Sequence, residues 1–95
     1  MDLVVTYDIA TADAAGVRRL ARVAAVCERY GVRAQYSVFE CRIDGILRER
    51  LISELEDTID PRVDSVHLYL LGSDVERARQ SLGRRGLAWS DPDIL

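Results

Sequence analysis

Apolar and polar positions along the chain follow two different periods. Residues 3–9 and 65–71 combine β-branched, aromatic and aliphatic side chains with few polar interruptions, which predicts a strand in each. Residues 32–43 are also strand-like. This middle segment is long for a single strand, and its pattern leaves open whether it runs straight or folds back on itself.

The segment between the first two strand-like stretches has the helical period. Thr11 or Asp13 is placed to cap a helix over residues 14–30, and Gly31 follows where such a helix would end. Apolar side chains recur there at spacings of three and four, which predicts one buried face. They are Val17, Leu20, Val23, Ala24, Cys27 and Tyr30.

A second amphipathic helix is predicted over residues 46–59, with Asp44 as its N-cap and Pro61 just beyond its end. If the middle segment is a hairpin, the element order becomes βαββαβ. That order is the ferredoxin-like plan, an α+β fold with two helices on one face of an antiparallel sheet. The other face would be free to pair with a second copy, so we expect a two-fold homodimer.

The chain divides into a predicted ferredoxin-like core, residues 1–71, and a C-terminal extension, residues 72–95. Residues 75–82 are a candidate short helix. The last residues include Trp89, Ile94 and Leu95, which are too apolar for a free tail. We therefore expect the extension to pack on the partner protomer.

Composition narrows the classes of protein without choosing one. Ninety-five residues make a single domain, and the net charge of −3 is not that of a typical nucleic-acid-binding protein. All 13 basic residues are arginine. Arginine binds phosphate bidentately, but it also forms ion pairs, and a lack of lysine can reflect genomic base composition. The position of the arginines therefore matters more than their number.

Two cysteines and the absence of long apolar runs bear on the compartment. Cys27 and Cys41 are too few and too far apart for a zinc knuckle or a redox pair, so we expect two buried free thiols in a reducing cytosol. No stretch resembles a signal peptide or a membrane span. The expected location is cytoplasmic, with no membrane partner.

Asp8, at the carboxyl end of the first predicted strand, is the first candidate for chemistry. A carboxylate there suits a hard cation such as Mg²⁺, which takes oxygen ligands and keeps several waters. One carboxylate per chain is a poor metal site, whereas two facing each other across a two-fold axis would make a pair. The alternative is that Asp8 only caps the turn or the first helix.

Arginines on the first helix are the second candidate. At about 100° per residue, Arg18, Arg22 and Arg29 fall within about 40° of one another, nearly opposite Leu20, Val23 and Cys27. Arg19 flanks them, and Glu28 is the one acidic residue of the helix. Such a row is suited to contacting a phosphate backbone. The alternative is an ordinary solvated helix face.

Other chemistry finds little support. His67 is the single histidine and has no metal-ligating partner at a suitable spacing, so a structural role is expected. Ser37 lacks the context of a catalytic nucleophile, and no glycine-rich phosphate loop is present.

Two stretches carry a resemblance to a known family. They are residues 4–9, Val-Val-Thr-Tyr-Asp-Ile, and residues 33–41, Arg-Ala-Gln-Tyr-Ser-Val-Phe-Glu-Cys. Residues 59–66 and 70–73 also fit, as does the length. The chain resembles the CRISPR-associated protein two family, the smaller core subunit of spacer acquisition, over nearly its whole length.

The resemblance implies a ferredoxin-like fold with a turn near Tyr36 and Ser37, and homodimers whose C-terminal strand crosses to the other protomer. In members described as Mg²⁺-dependent endonucleases, the aspartate matching Asp8 is the catalytic metal ligand, which implies one Mg²⁺ per dimer shared by both copies. Arg33 would join the helix arginines in binding nucleic acid. Tyr7, Ser37 and Phe39 lie in matching regions and would have supporting roles.

The family's role implies two functions of different classes. As an adaptor, the protein would bridge two dimers of the CRISPR integrase (CRISPR-associated protein one) and hold duplex DNA, and Asp8 would be dispensable. As a nuclease, it would hydrolyse RNA, including single-stranded RNA, or DNA through Asp8 and Mg²⁺. We favour the adaptor, because no general base is visible. A third class, a small regulatory domain that binds a metabolite, has no glycine-rich ligand loop to support it.

Overall fold

Four strands and two long helices follow one another in the order βαββαβ, as the sequence predicts for a hairpin in the middle segment. The computed structural model describes residues 2–82. The elements are β1 (Asp2–Asp8), α1 (Ala14–Tyr30), β2 (Gly31–Gln35), β3 (Val38–Arg42), α2 (Gly45–Thr58), β4 (Ser65–Leu70) and a one-turn helix, α3 (Val75–Ala78). No helix among the described residues is long and apolar enough to cross a membrane.

The strands form one antiparallel sheet in the order β2-β3-β1-β4. β1 is central, with Val5 opposite Phe39 on β3 and opposite Leu68 on β4. The middle strand-like segment is a hairpin that turns at Tyr36 and Ser37, as the resemblance implies. The α+β, ferredoxin-like prediction is confirmed.

The two faces of the sheet differ because side chains alternate along each strand. One face packs against α1 and α2 and forms the core, which contains Leu3, Val5, Tyr7, Ile9, Val23, Val26, Cys27, Phe39, Cys41, Ile43, Leu51 and Leu55. We call the other side of the sheet the open face. Its residues include Val4, Thr6, Asp8, Val32, Val38, Glu40, His67 and Tyr69.

Side chains and close packing set the ends of the helices. Asp13 accepts a hydrogen bond from the Gly16 amide (2.7 Å) at the start of α1, and Asp44 accepts one from the Leu47 amide (2.8 Å) at the start of α2. Gly31 ends α1 in an extended conformation with φ of −161°. A Cβ on Gly31 would lie 2.4 Å from the Glu40 carbonyl oxygen, so the glycine is needed for close approach to β3.

The predicted buried face of α1 is wrong at its N-terminal end. Val17 and Leu20 are 54% and 37% exposed, whereas Gly16, Val23 and Cys27 are buried. The first half of α1 therefore turns Gly16, rather than the larger apolar residues, toward the loop that follows β1. Only glycine permits this close approach, because a Cβ at position 16 would lie 1.9 Å from the Ala10 carbonyl oxygen.

The C-terminal extension begins on the chain's own sheet. The Val75 amide donates to Asp2 (2.9 Å), and Arg79 pairs with Glu40. Helix α3 has a single turn, shorter than the helix predicted over residues 75–82. The apolar end of the extension lies outside the described residues, so its packing on a partner stays a prediction.

Candidate metal and nucleic-acid site

Asp8 is the last residue of β1, and its side chain is exposed on the open face. It stands opposite Ser65 of β4. No hydrogen bond or ion pair engages its carboxylate within residues 2–82. Because Asp13 caps α1, the alternative that Asp8 is the helix cap is not what the structure shows.

A single chain supplies few ligands for a cation. Residues 2–82 contain no group of three or more His, Cys, Asp or Glu side chains that could hold a metal ion. Mg²⁺ is commonly bound through one or two carboxylates, with water and substrate phosphates filling the other positions. The Asp8 carboxylate, which has no partner in the described part of the chain, fits such a cation if a second copy brings its own Asp8 to the same place.

The loop that follows Asp8 is fixed by a buried carboxylate on a distant segment. The Asp64 side chain is fully buried and accepts hydrogen bonds from the Ala10 amide (3.0 Å), the Asp60 amide (2.9 Å) and Arg19 Nε (2.8 Å). These donors favour the charged form and lower the pKa of Asp64 from 3.8 to about 2, although burial opposes the shift. Sequence reasoning missed this role, because nothing in the spacing of the acids distinguishes Asp64.

Arg19 belongs to this loop and not to the predicted nucleic-acid surface. Its side chain is 17% exposed, and besides Asp64 its second nitrogen lies 3.5 Å from the Ala10 carbonyl oxygen. At about 100° per residue it falls on the same side of α1 as Val23 and Cys27. We therefore correct the predicted set by removing Arg19 from the phosphate-contacting row.

The remaining arginines of α1 are exposed but unequal. Arg18 and Arg22 form no ion pair within the part of the chain that the structure describes. Arg29 pairs with Glu54 of α2, which also accepts a hydrogen bond from the Tyr30 hydroxyl. Arg18, Arg22 and Arg29 lie roughly 110° around the helix from its buried side. They therefore project sideways from α1 and not directly away from the sheet.

Tyr7, Ser37 and Phe39, the residues with expected supporting roles, lie close together at the end of β1. The rings of Tyr7 and Phe39 are on the helix-covered side of the sheet. Tyr7 and Phe39 have ring centroids 6.2 Å apart, and the Arg33 guanidinium carbon lies 5.0 Å from the Phe39 ring centroid. The Tyr7 amide donates to the Ser37 carbonyl (3.1 Å), and the Tyr7 hydroxyl donates to the Tyr36 carbonyl (3.1 Å). The cluster holds the β2–β3 turn against the end of β1.

Tyr7 and Arg33 are therefore built into the fold. Burial raises the pKa of Tyr7, while the nearby Arg33 opposes that shift. Arg33 is 30% exposed and lies 3.8 Å from Glu28, so part of its charge is already compensated. Asp8 points to the opposite face, because neighbouring strand residues alternate.

The two cysteines are buried, as the sequence predicts, and the structural role expected of His67 stays a prediction. Cys27 and Cys41 are buried free thiols, and burial raises their pKa values to about 12 and about 11. His67 is exposed on the open face opposite Thr6, with its ring centroid 6.3 Å from that of Tyr69.

The fold and the position of Asp8 define the class: a small ferredoxin-like α+β domain with a carboxylate, unpaired within residues 2–82, at the tip of its central strand and on a face that neither long helix covers. A family model described as CRISPR associated protein Cas2 matches residues 1–79. The chain belongs to the Cas2 family.

Several known proteins are similar to this chain. A CRISPR-associated endoribonuclease Cas2 of Chlorobaculum tepidum is 48% identical over 73 residues, covering 77% of this chain and 76% of its own. A CRISPR-associated endonuclease Cas2 of Halalkalibacterium halodurans is 38% identical over 85 residues, covering 90% and 88%. The crystal structure of Streptococcus pyogenes Cas2 at pH 6.5 superposes with a TM-score of 0.79 at 41% identity, covering 87% of this chain and 100% of that one.

Proposed function

We propose that this protein is a nucleic-acid-binding adaptor of CRISPR spacer acquisition, a homodimer that bridges integrase dimers and holds duplex DNA. The observation that carries the proposal is the exposed pair Arg18 and Arg22 on α1. Within residues 2–82 no carboxylate pairs with either one, although the chain as a whole has more acidic than basic residues. Unpaired guanidinium groups one helical turn apart can contact successive phosphates of a backbone.

The open face supports the dimer. Val32 and Tyr69 are 50% and 54% exposed there, so a sheet surface with apolar positions lacks a covering helix. Packing two such faces about a two-fold axis would bury these side chains and bring two copies of Asp8 to one interface. Because α1 packs on the other side of each sheet, the arginine rows of the two protomers would then lie on opposite outer surfaces of the dimer. Residues 72–95 would complete the interface, and truncation after Gly86 should then lower dimer stability.

Charge reversal on α1 tests the adaptor proposal. Arg18→Glu combined with Arg22→Glu should weaken duplex binding, and the dependence of log affinity on log salt should become shallower by about one unit per lost phosphate contact. Arg50→Glu, on the exposed side of α2, is the matched control and should leave both quantities unchanged. Asp8→Asn should leave spacer integration intact. Unchanged duplex affinity in the double variant would contradict the proposal.

A metal-dependent endonuclease is the second candidate, favoured by the unpaired Asp8 carboxylate. Relatives of this chain are named endoribonuclease and endonuclease. When bound, Mg²⁺ would supply a water of lowered pKa and charge stabilisation for phosphodiester hydrolysis. Asp8 would hold the cation together with the partner copy's Asp8, which requires the two carboxylates to approach within roughly 4–6 Å, given metal–oxygen bonds of about 2.0–2.6 Å.

Asp8→Asn tests the endonuclease directly. The variant should lose Mg²⁺-dependent cleavage of both RNA and DNA substrates while sedimenting as the wild-type dimer does. Cleavage that survives in a highly purified Asp8→Asn sample would mean that Asp8 is not the metal ligand of the reaction.

A further inference from the structure

The position of Asp8 depends on contacts made by residues far from it in sequence. We propose that Asp64 and Arg19 are positioning residues for Asp8, because together they fix the loop that leaves β1 at the carboxylate. This inference rests on the proposed metal-binding role of Asp8. Neither residue touches the Asp8 side chain, so both would act through the backbone of Ala10.

Ala10 is held on three sides. Its amide donates to Asp64 Oδ1 (3.0 Å), and its carbonyl oxygen lies 3.5 Å from an Arg19 guanidinium nitrogen. The same carbonyl packs against Gly16, where a Cβ would lie only 1.9 Å away. A residue with both backbone groups engaged and no space beside it has little freedom to move.

The segment on the other side of Asp8 is fixed as well. Ile9 is 7% exposed and belongs to the core, while Asp8 pairs with Ser65 on β4. Ser65 directly follows Asp64, so one short segment supplies both the strand partner of Asp8 and the carboxylate that holds Ala10. Asp8 is thus the exposed side chain of an otherwise fixed tripeptide.

Asp64 is also tied to the connection between α2 and β4. It accepts from the Asp60 amide (2.9 Å), and its own amide donates to the Asp60 carbonyl (2.8 Å). Three segments of the chain therefore converge on one buried carboxylate: the β1–α1 loop, α1 and the α2–β4 connection. Charge-assisted hydrogen bonds of this kind fix geometry better than neutral ones do.

The other end of β1 offers a matched control. The Asp2 side chain is also buried, and it also accepts two bonds from an arginine, Arg42 (2.9 Å each), and one from a backbone amide, that of Val75. It lies six residues from Asp8, about 20 Å along the strand at about 3.3 Å per residue. Asp2→Asn and Asp64→Asn therefore remove the same kind of interaction at opposite ends of one strand.

The experiment compares these two variants in the full-length protein by three measurements. They are the amide exchange rate of Ala10 without metal, the Mg²⁺ Kd from shifts of the Asp8 amide during MgCl₂ titration, and kcat and KM for cleavage. Asp64→Asn should accelerate Ala10 exchange at least about 10-fold, raise the Mg²⁺ Kd about 10-fold and lower kcat with little change in KM. Asp2→Asn should lower Tm about as much as Asp64→Asn does. Its Ala10 exchange rate and Mg²⁺ Kd should nevertheless stay within about two-fold of the wild-type values.

Arg19→Lys is the second variant, for use if Asp64→Asn does not fold. It keeps a cation beside Asp64 and loses the planar fork that reaches the Ala10 carbonyl, so a smaller rise in the Mg²⁺ Kd, about three-fold, is expected.

The outcomes distinguish the positioning role of Asp64 and Arg19 from the proposed metal-binding role of Asp8. Equal effects of Asp2→Asn and Asp64→Asn on the Mg²⁺ Kd would overturn the positioning role, because general destabilisation would then explain both. If Asp8→Asn itself leaves Mg²⁺ binding and cleavage unchanged, the endonuclease proposal fails instead. A loss of cleavage in Asp8→Asn, with Asp64→Asn and Arg19→Lys both at wild-type Kd and kcat, would reject the positioning role alone.

Discussion

The guanidinium group of Arg33 lies over the ring of Phe39, with 5.0 Å between the guanidinium carbon and the ring centroid. The two residues are cross-strand neighbours on β2 and β3, and Phe39 is fully buried. Tyr7 of β1 lies on the same side of the sheet, next to Phe39. A residue expected to bind nucleic acid is therefore also part of the packing that shapes the hairpin.

Replacing Arg33 by lysine should separate its charge from its stacking. Arg33→Lys keeps the cation but loses the flat contact with Phe39, so the free energy of unfolding should fall by about 0.5–1 kcal/mol. Urea unfolding followed by circular dichroism measures the change. Arg50→Lys, at an exposed position of α2, is the control and should be neutral. Equal stability of Arg33→Lys and wild type would show that the cation–ring contact contributes nothing.

Gly31 and Gly45 should respond oppositely to alanine. A Cβ on Gly31 would lie 2.4 Å from the Glu40 carbonyl oxygen and 2.5 Å from Cys41 Sγ, so β2 and β3 would have to separate. We expect Gly31→Ala to cost about 1–3 kcal/mol or more. A Cβ on Gly45 meets nothing within 4 Å, so Gly45→Ala at the start of α2 should be neutral or stabilise by up to about 1 kcal/mol. Thermal unfolding of the two variants decides between these outcomes.

Acid should destabilise the fold through Asp2 and Asp64. Hydrogen bonds from Arg42 and Arg19, respectively, are the largest cause that lowers each pKa from 3.8 to about 2. A depressed folded-state pKa means that the stabilisation is complete above the unfolded-state value and is lost as pH falls toward the folded-state value. Tm should therefore drop between about pH 5 and pH 2. The drop should be shallower in Asp2→Asn and in Asp64→Asn, and an unchanged slope in both would contradict this origin.

Both thiols should be inert in the folded protein. Burial raises the pKa of Cys27 to about 12 and that of Cys41 to about 11, so almost no reactive thiolate is present at pH 8. Iodoacetamide should label neither cysteine in native buffer and both in guanidinium chloride, as counted by mass spectrometry. Rapid labelling of either thiol in native buffer would mean that the α1–sheet contact opens readily.

Local signals predict most of the fold. The strand and helix periods place β1, α1, α2 and β4 to within a residue or two, because each element buries one face and exposes the other. Asp13 and Asp44 are helix caps readable from sequence, since a cap acts on an amide three residues away. The hairpin turn needed the resemblance to the family, because the apolar pattern continues through it.

Features that depend on contacts between distant segments could not be predicted from the sequence. The rotation of α1 depends on the Ala10 carbonyl packing against Gly16, which no periodicity records, so the apolar pattern wrongly predicts Val17 and Leu20 on the buried face. Asp64 acts on an amide 54 residues away, and only the folded chain shows that partnership. Asp8, by contrast, is a candidate site on sequence grounds alone, because a polar residue ending a buried strand stands out from its neighbours.

The anchoring of β1 at both ends has a consequence for its register. A slip of one residue would turn Asp8 toward the helices and Leu3 toward the open face, since strand side chains alternate. The same slip would carry Asp2 away from Arg42 and Ala10 away from Asp64, so Asp2 would lose its arginine partner and Asp64 would lose one of its backbone donors. A single-residue insertion within β1 should consequently be tolerated far less well than one in the α2–β4 connection before Asp60.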